Sequence, residues 1–180
     1  MMKFVPALVA ALLVSTPAFA GPRVEVHAGW DRASAAGESN SDVMYGVGIG
    51  YDLPIGTNTF VGVDANYDGS SAGKCVSIDG DTACLDANRD LSVGGRFGFN
   101  LGQYSKLYAL GGYTNAKVKA SITSGETALS ATDELDGFRL GVGYQRNSDI
   151  GAYFKIEYRY SNYEQDFSRN QVLAGVGFEF

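Results

Sequence analysis

The chain has 180 residues, including 24 glycines, 11 tyrosines and 10 phenylalanines, and its formal net charge at pH 7 is −6. This acidic balance excludes the basic face that nucleic acids require, so no nucleic-acid partner is expected. Beyond residue 20, no apolar run approaches the roughly 18 residues of a transmembrane helix.

The first twenty residues have the pattern of a secretory signal peptide. Lys3 supplies a basic start, Phe4–Val14 an apolar stretch, and Ala18-Phe19-Ala20 a small-x-small cleavage pattern. The apolar stretch is too short to cross a bilayer as a helix. We therefore expect residues 1–20 to be cleaved. Residues 21–180, with 13 basic and 20 acidic side chains, are expected to form one domain.

The remaining chain consists of segments in which apolar and polar residues alternate, which is the period of a β-strand. Eight segments are long enough for a tilted membrane crossing of about nine to eleven residues. We predict strands at Pro22–Arg32, Asp42–Leu53, Thr59–Asp68, Arg89–Leu101, Lys106–Val118, Leu135–Arg146, Ile150–Ser161 and Arg169–Phe180. Their connections alternate between long and short. Outer-membrane barrels show this rhythm because their periplasmic turns are tight and their surface loops are not.

The two faces of these segments differ in a way that decides the fold class. One parity is apolar, as in Val24, Val26, Ala28 and Trp30 of the first segment, and the other is small, polar or charged. A soluble eight-stranded carrier would show the inverse, with its apolar residues inside. The sequence therefore predicts an all-β fold, an eight-stranded antiparallel up-and-down transmembrane β-barrel that forms an outer-membrane domain over residues 21–180.

The alternation of residues in the fifth segment does not show which of its two faces points outward, so we infer this from the preceding turn. A four-residue turn at Gly102–Ser105 would set Leu101 opposite Lys106. Cross-strand partners share a face. This register predicts that the even-numbered residues of the fifth strand, such as Tyr108, face the lipid.

Charged residues on the inward parity are expected to form an ion network, because opposite charges in a narrow barrel can pair where water is scarce. A turn at Asn147–Asp149 would set Arg139 directly opposite Glu157. Asp64 and Arg96 are candidates for extending this pair, although the loop between them leaves their register open. The predicted members are Asp64, Arg96, Arg139, Lys155 and Glu157. A closed network would plug the lumen.

His27 is the only histidine, which excludes a site built from several histidines. It is expected to face the lumen, away from the lipid on which a hydrolase in this membrane would act. The acid-rich segment 79–86 lacks the spacing of a calcium-binding loop, and the scattered glycines do not form a phosphate loop. No cofactor, metal site or catalytic residue is predicted.

Cys75 and Cys84 are the only cysteines, and both lie in the longest predicted loop. An even count in a chain that folds outside the cytosol favours a disulfide. Closing this short loop would stabilise it by roughly 2–3 kcal/mol in the chain-entropy treatment.

The signal-peptide ending AFA, the eight strands, the YRYSNY stretch at Tyr158–Tyr163 and the terminal GVGFEF resemble the opacity-type porin family of Gram-negative outer-membrane proteins. That family is similar in architecture to the transmembrane domain of outer membrane protein A. The resemblance implies a place in the bacterial outer membrane, in contact with its lipid. It also implies that the barrel assembly machinery reads the last strand, with Phe178 and Phe180 as the aromatic-x-aromatic signal.

Three functions are compatible with this interpretation. We favour a structural or surface-interaction protein whose outer loops meet an unidentified surface ligand. The alternative is a narrow porin-like channel for ions or small solutes, suggested by the glycine-rich lumen. A lipid-modifying enzyme is the remote alternative, and no enzymatic activity is predicted.

Overall fold

The computed structural model describes residues 21–35, 38–70, 73–78, 81–124, 127–164 and 167–180. Within these ranges, side chains are described except at residues 35, 38, 73–78, 81–88, 118–124 and 127–133. The predicted signal peptide lies outside the described residues. In the part of the chain that is described, no helix is long and apolar enough to cross a bilayer.

The described residues form nine β-strands in one antiparallel sheet. They are β1 Pro22–Ala35, β2 Glu38–Pro54, β3 Thr59–Ser70, β4 Gly73–Ile78, β5 Asp81–Leu101, β6 Ser105–Ser124, β7 Thr127–Asn147, β8 Ala152–Tyr163 and β9 Ser168–Glu179. All strands except β4 belong to a closed ring, because β3 pairs with β5 and β1 pairs with β9. The predicted eight-stranded antiparallel barrel is confirmed.

The barrel has two distinct ends. The inner end holds both ends of the barrel domain and the short turns at residues 55–58, 102–104 and 148–151. The outer end holds the remaining connections. In outer-membrane barrels the short turns face the periplasm and the longer loops face outward.

Three strands are much longer than predicted. Strands β5, β6 and β7 have 21, 20 and 21 residues, and β5 pairs with β6 as far as Asp81 opposite Ser124. The predicted long connections after the third and fifth strands therefore contain strand, including the added strand β4. These extensions were not predicted, because the predicted strands were matched to the length of a membrane crossing.

The wall of the barrel is apolar on the outside, as predicted. Outward residues such as Val26, Ile49 and Val63 are 56%, 61% and 62% exposed. Aromatic side chains concentrate near the two ends of this apolar band, as in interfacial girdles. They include Trp30, Tyr45, Tyr67, Tyr113 and Tyr158 toward the outer end, and Phe99, Tyr144, Phe154 and Phe178 toward the inner end.

The turn between β5 and β6 corrects the orientation predicted for the fifth predicted strand, here β6. Leu101 pairs with Ser105 across the three-residue turn Gly102–Tyr104, in which Gly102 has a φ of 74°. A shift of one residue moves every side chain to the opposite face. Leu107 therefore faces outward, whereas Tyr108 is buried in the lumen. The prediction that even-numbered residues face the lipid is wrong.

The turn between β7 and β8 also differs from the prediction. Ser148 N donates to Ala152 O at 2.8 Å, and the intervening turn ends on Gly151, whose φ is 80°. A three-residue hairpin loop commonly places a left-handed glycine at this position. The centre of the hairpin is therefore Ile150 and not Ser148.

Because the hairpin is centred two residues later than predicted, each residue of β7 pairs with a residue of β8 that lies four positions later than the predicted partner. Arg139 lies opposite Ser161, and Glu157 lies opposite Gly143. The predicted direct pair of Arg139 with Glu157 is therefore wrong, although both side chains point into the lumen and are buried.

The backbone of β4 and β5 places Cys75 opposite Cys84. The side chains of these two residues lie outside the described part of the structure, so their disulfide remains a prediction. Directly opposed residues of antiparallel strands have Cα atoms about 4.5–5.5 Å apart, which falls within the range that a disulfide bridges.

We expect non-reducing peptide mapping of the exported protein to recover the peptide of Cys75 linked to that of Cys84. Reduction should leave the heat-modifiable barrel unchanged, because β4 lies outside the closed ring of membrane strands. Two free thiols in protein taken from an oxidising envelope would contradict the bridge.

Candidate functional site

The lumen is filled by charged side chains from all the strands of the ring. Among the described residues, eight carboxylates and seven lysine or arginine side chains form ion pairs there. The least buried of these fifteen side chains is that of Asp64, which is 17% exposed. The carboxylates belong to Glu25, Asp31, Asp52, Asp64, Asp68, Asp90, Glu157 and Glu179. The cations belong to Arg23, Arg96, Lys106, Arg139, Lys155, Arg159 and Arg169.

The network begins at the outer end with Arg169. Its Nε donates to Asp31 at 2.9 Å and its Nη1 donates to Asp90 at 3.0 Å. The Asp90 carboxylate also accepts from the Tyr163 hydroxyl at 2.7 Å and from Arg139 Nη2 at 2.5 Å. Asp90 therefore joins three strands beside its own.

Asp68 is the central acceptor of the network. Its Oδ2 accepts from Arg139 Nη1 and from Arg159 Nη1, each at 3.1 Å, while its Oδ1 lies 2.6 Å from Nε2 of His27. The Nε of Arg159 donates in turn to Glu157. Asp68 thus compensates two guanidinium groups that would otherwise be buried without a counter-charge.

Lys155 links the next two carboxylates. Its Nζ lies 2.5 Å from Glu25 and 3.2 Å from Glu157. Two phenol hydroxyls complete the coordination of these acids, since Tyr153 donates to Glu25 at 2.8 Å and Tyr108 donates to Glu157 at 2.6 Å.

At the inner end, Asp52 accepts from Arg96 Nε at 2.7 Å and from Lys106 Nζ at 3.1 Å. Lys106 also lies 2.5 Å from Glu179 on the last strand. Arg23 connects this group to the rest, because its Nε is 3.7 Å from Asp52 and its Nη1 is 3.5 Å from Glu25.

The ion pairs are therefore continuous from Asp31 at the outer end to Glu179 at the inner end. Inward-facing glycines make room for the long side chains. A Cβ atom at Gly50 would lie 2.3 Å from Arg23 Nη2, and one at Gly143 would lie 2.4 Å from the Tyr108 ring. A larger residue at either position would displace a member of the network.

The structure places all five predicted network residues in the lumen but gives them other partners. Arg96 pairs with Asp52, and Asp64 pairs with Arg23. Asp64 therefore reaches Arg96 only through Arg23 and Asp52 and makes no direct contact with it.

Several members were missed by the sequence analysis, among them Asp52, Asp68, Asp90 and Arg169. Each of these lies on the inward parity of a predicted strand, and this parity was the signal that could have found them. Lys106 was assigned to the wrong face by the predicted turn, and its partner Glu179 lies 73 positions later in the chain.

His27 lies between two carboxylates in the lumen. Its Nε2 faces Asp68, its Nδ1 lies 3.3 Å from Glu25, and its side chain is buried in the lumen. Both ring nitrogens thus face carboxylates, and no serine Oγ is bonded to either in the described residues. Within the same residues, no group of three or more His, Cys, Asp or Glu side chains is arranged to hold a metal ion.

Residues 7–180 match the family described as "Outer membrane protein beta-barrel domain". The chain belongs to this family. It is an outer-membrane β-barrel, located in the outer membrane of a Gram-negative bacterium. No curated protein sequence matches the chain significantly.

Solved barrels of the outer membrane share its fold. Ail, the attachment invasion locus protein of Yersinia pestis, solved with the heparin analogue sucrose octasulfate, is 19% identical with a TM-score of 0.66, over 89% of this chain and 99% of Ail. Neisserial surface protein A is 18% identical with a TM-score of 0.62, over 89% and 97% of the two chains. The outer membrane enzyme PagL is 12% identical with a TM-score of 0.51, over 88% and 99%. At these identities the likeness shows the fold alone.

We expect the substitution Asp68→Asn to destabilise the barrel by about 3–5 kcal/mol, because it leaves buried cations without their shared counter-charge. Urea unfolding of the reconstituted barrel, followed by the fluorescence of Trp30, measures this change. Glu164→Gln is the matched control, since Glu164 is an exposed acid outside the network. Equal stability of the Asp68 variant and the control would show that the network does not hold the barrel together.

Proposed function

We propose that this outer-membrane barrel is a non-enzymatic surface-interaction protein that binds a cationic partner through its outer strands and loops. The observation that carries the proposal is the length of β5, β6 and β7, which have 21, 20 and 21 residues. A membrane crossing needs about nine to eleven residues. About ten residues of each strand, or roughly 30 Å along the strand, are therefore left to project beyond the bilayer.

The projecting strands form a continuous sheet. Residues of β6 and β7 pair without interruption as far as Ser124 opposite Thr127, and β4 adds a fourth strand against β5. A sheet of this kind holds loops in defined positions outside the membrane, which is the usual way in which a rigid scaffold presents binding residues.

The charge of the outer segments indicates the class of partner. Residues 32–42, 69–89, 115–136 and 162–168 contain 11 acidic and 5 basic residues. The described charges of the lumen, in contrast, are paired with one another. An acidic surface attracts cationic partners and repels anionic ones. This charge argues against the anionic kind of ligand bound to Ail.

Labelled poly-lysine and labelled heparin are suitable probes for the barrel in nanodiscs. We expect poly-lysine to bind, and we expect binding to weaken with salt because the screening length falls from about 10 Å at 0.1 M to about 3 Å at 1 M. Substituting Asp79, Asp81 and Asp86 together by Asn should weaken binding roughly tenfold.

The control variant is Asp149→Asn, which removes an acid from an inner turn and should leave poly-lysine binding unchanged. Preferential binding of heparin, or undiminished poly-lysine binding by the triple variant, would overturn the proposal.

A narrow channel is the alternative function, and the filled lumen argues against it. Arg23, Arg159 and Gln145 are among its fully buried side chains, and the ion pairs leave no uncompensated row of charge along which an ion could move. We expect no steady conductance in a planar bilayer. A stable open level from the purified barrel would favour the channel instead.

The remaining partners follow from the place of the barrel in the membrane. Outer-membrane lipid surrounds the apolar wall. Phe178 lies at the end of the closing strand β9 and Phe180 directly follows it, and they are 49% and 75% exposed. This exposure supports their role as the signal that the barrel assembly machinery recognises. The lumen position of His27 supports the absence of enzymatic activity, because lipid does not reach it.

A further inference from the structure

The apolar outer wall has a groove toward its outer end. The groove has a volume of about 540 Å³ and crosses β2, β3, β5 and β6. Its apolar lining comes from Val47, Ile49, Ala65, Tyr67, Leu91 and Val93, and Glu134 borders it as well. It is open to the lipid side and lies outside the lumen network.

Small residues extend this groove toward the middle of the barrel. Gly95 and Gly111 face outward and pair with each other across β5 and β6. A Cβ atom at Gly95 would come no closer than 3.5 Å to another atom, and one at Gly111 no closer than 3.3 Å. Crowding therefore does not demand glycine at Gly95 and scarcely does so at Gly111, unlike at the lumen position Gly50. Because these two glycines have no side chains, the outer wall has a depression there that is about as deep as one side chain.

The groove lies at the level of the outer leaflet. Ten residues separate Leu101 near the inner end of β5 from Leu91 in the groove. At about 3.3 Å per residue and a tilt near 40°, this distance spans roughly 25 Å, the height of the apolar band of such barrels. The residue that follows on the same face, Arg89, is therefore at the outer membrane–water interface.

Arg89 pairs across the strands with Lys117, so two cations lie side by side above the groove. Lys117 is bonded to Glu134. The Nε of Arg89 is buried and has no hydrogen-bond partner among the described residues. The Arg89 side chain as a whole is only half-buried, so its guanidinium places a positive charge at the mouth of the groove.

The neighbouring acids whose side chains are described have other hydrogen-bonding partners. Glu134 is held by Lys117, and Asp136 accepts hydrogen bonds from Tyr113 and from Asn115. Within the described residues, Arg89 is the cation of this group that keeps an unsatisfied hydrogen-bond donor.

We propose that the groove and Arg89 form a binding site for lipid A, the phosphorylated and acylated sugar lipid of the outer leaflet. One acyl chain lies over Ala65, Gly95 and Gly111, and a phosphate group accepts hydrogen bonds from the guanidinium of Arg89, with Lys117 beside it. Arginine suits a phosphate because its planar group donates two parallel hydrogen bonds. Because the groove lies at the level of the outer leaflet, its occupant is lipid A and not a phospholipid of the inner leaflet.

Binding of purified lipid A and of phosphatidylglycerol to the full barrel in detergent, measured by native mass spectrometry, tests the site. The wild-type barrel should retain lipid A in preference to phosphatidylglycerol. Arg89→Gln removes the phosphate contact, and Gly95→Leu fills the hollow. Each should weaken lipid A binding about tenfold. Arg146→Gln is the matched control, because Arg146 is an outward arginine at the inner end.

Heat modifiability reports separately whether each variant forms the barrel. Lipid A binding by folded Arg89→Gln or Gly95→Leu at the wild-type level would overturn the site. An equal loss in Arg146→Gln would show that any surface arginine suffices, and equal binding of phosphatidylglycerol would show that the groove does not select lipid A. Either result would also overturn the proposal.

Discussion

The structure depends on one constraint, which is that every charge inside a narrow closed barrel must meet an opposite charge. Among the described residues, fifteen acidic and basic side chains enter a narrow lumen, and Asp68 and Asp90 each pair with two arginines. Desolvating such groups costs several kcal/mol apiece unless their partners and hydrogen bonds are complete. The lumen is therefore a connected network with little freedom to rearrange.

The outer wall obeys the opposite requirement, because lipid solvates only apolar groups. Backbone donors and acceptors have no water there, so the ring has to close, and the pairing of β1 with β9 closes it. Both requirements end at the membrane surface. The outer parts of β5, β6 and β7 extend beyond the length that a membrane crossing needs. These two requirements account for the paired charges of the described lumen and for the apolar outer wall.

The alternation of apolar and polar residues along the strands was sufficient to predict the barrel, because one face of each strand meets lipid and the other faces the polar lumen. The register of neighbouring strands, which decides which residues lie opposite each other, could not be predicted as well as the strands themselves. At both wrongly predicted hairpins, a single glycine with positive φ, Gly102 or Gly151, decides the turn. A difference of one residue at the first turn exchanged the faces of β6. A shift of the second centre from Ser148 to Ile150 gave Arg139 a different neighbour.

The sequence by itself determined the strand pattern, the apolar outer face and the inward parity of Arg96, Arg139, Lys155 and Glu157, because these follow from local period and from the solvent on each side. Only the tertiary structure decided which charges pair. Lys106 meets Asp52 and Glu179, residues 54 and 73 positions away in the chain. Their contact requires the ring to close and the strands to tilt and stagger. These are properties of the whole barrel, and no single segment of sequence encodes them.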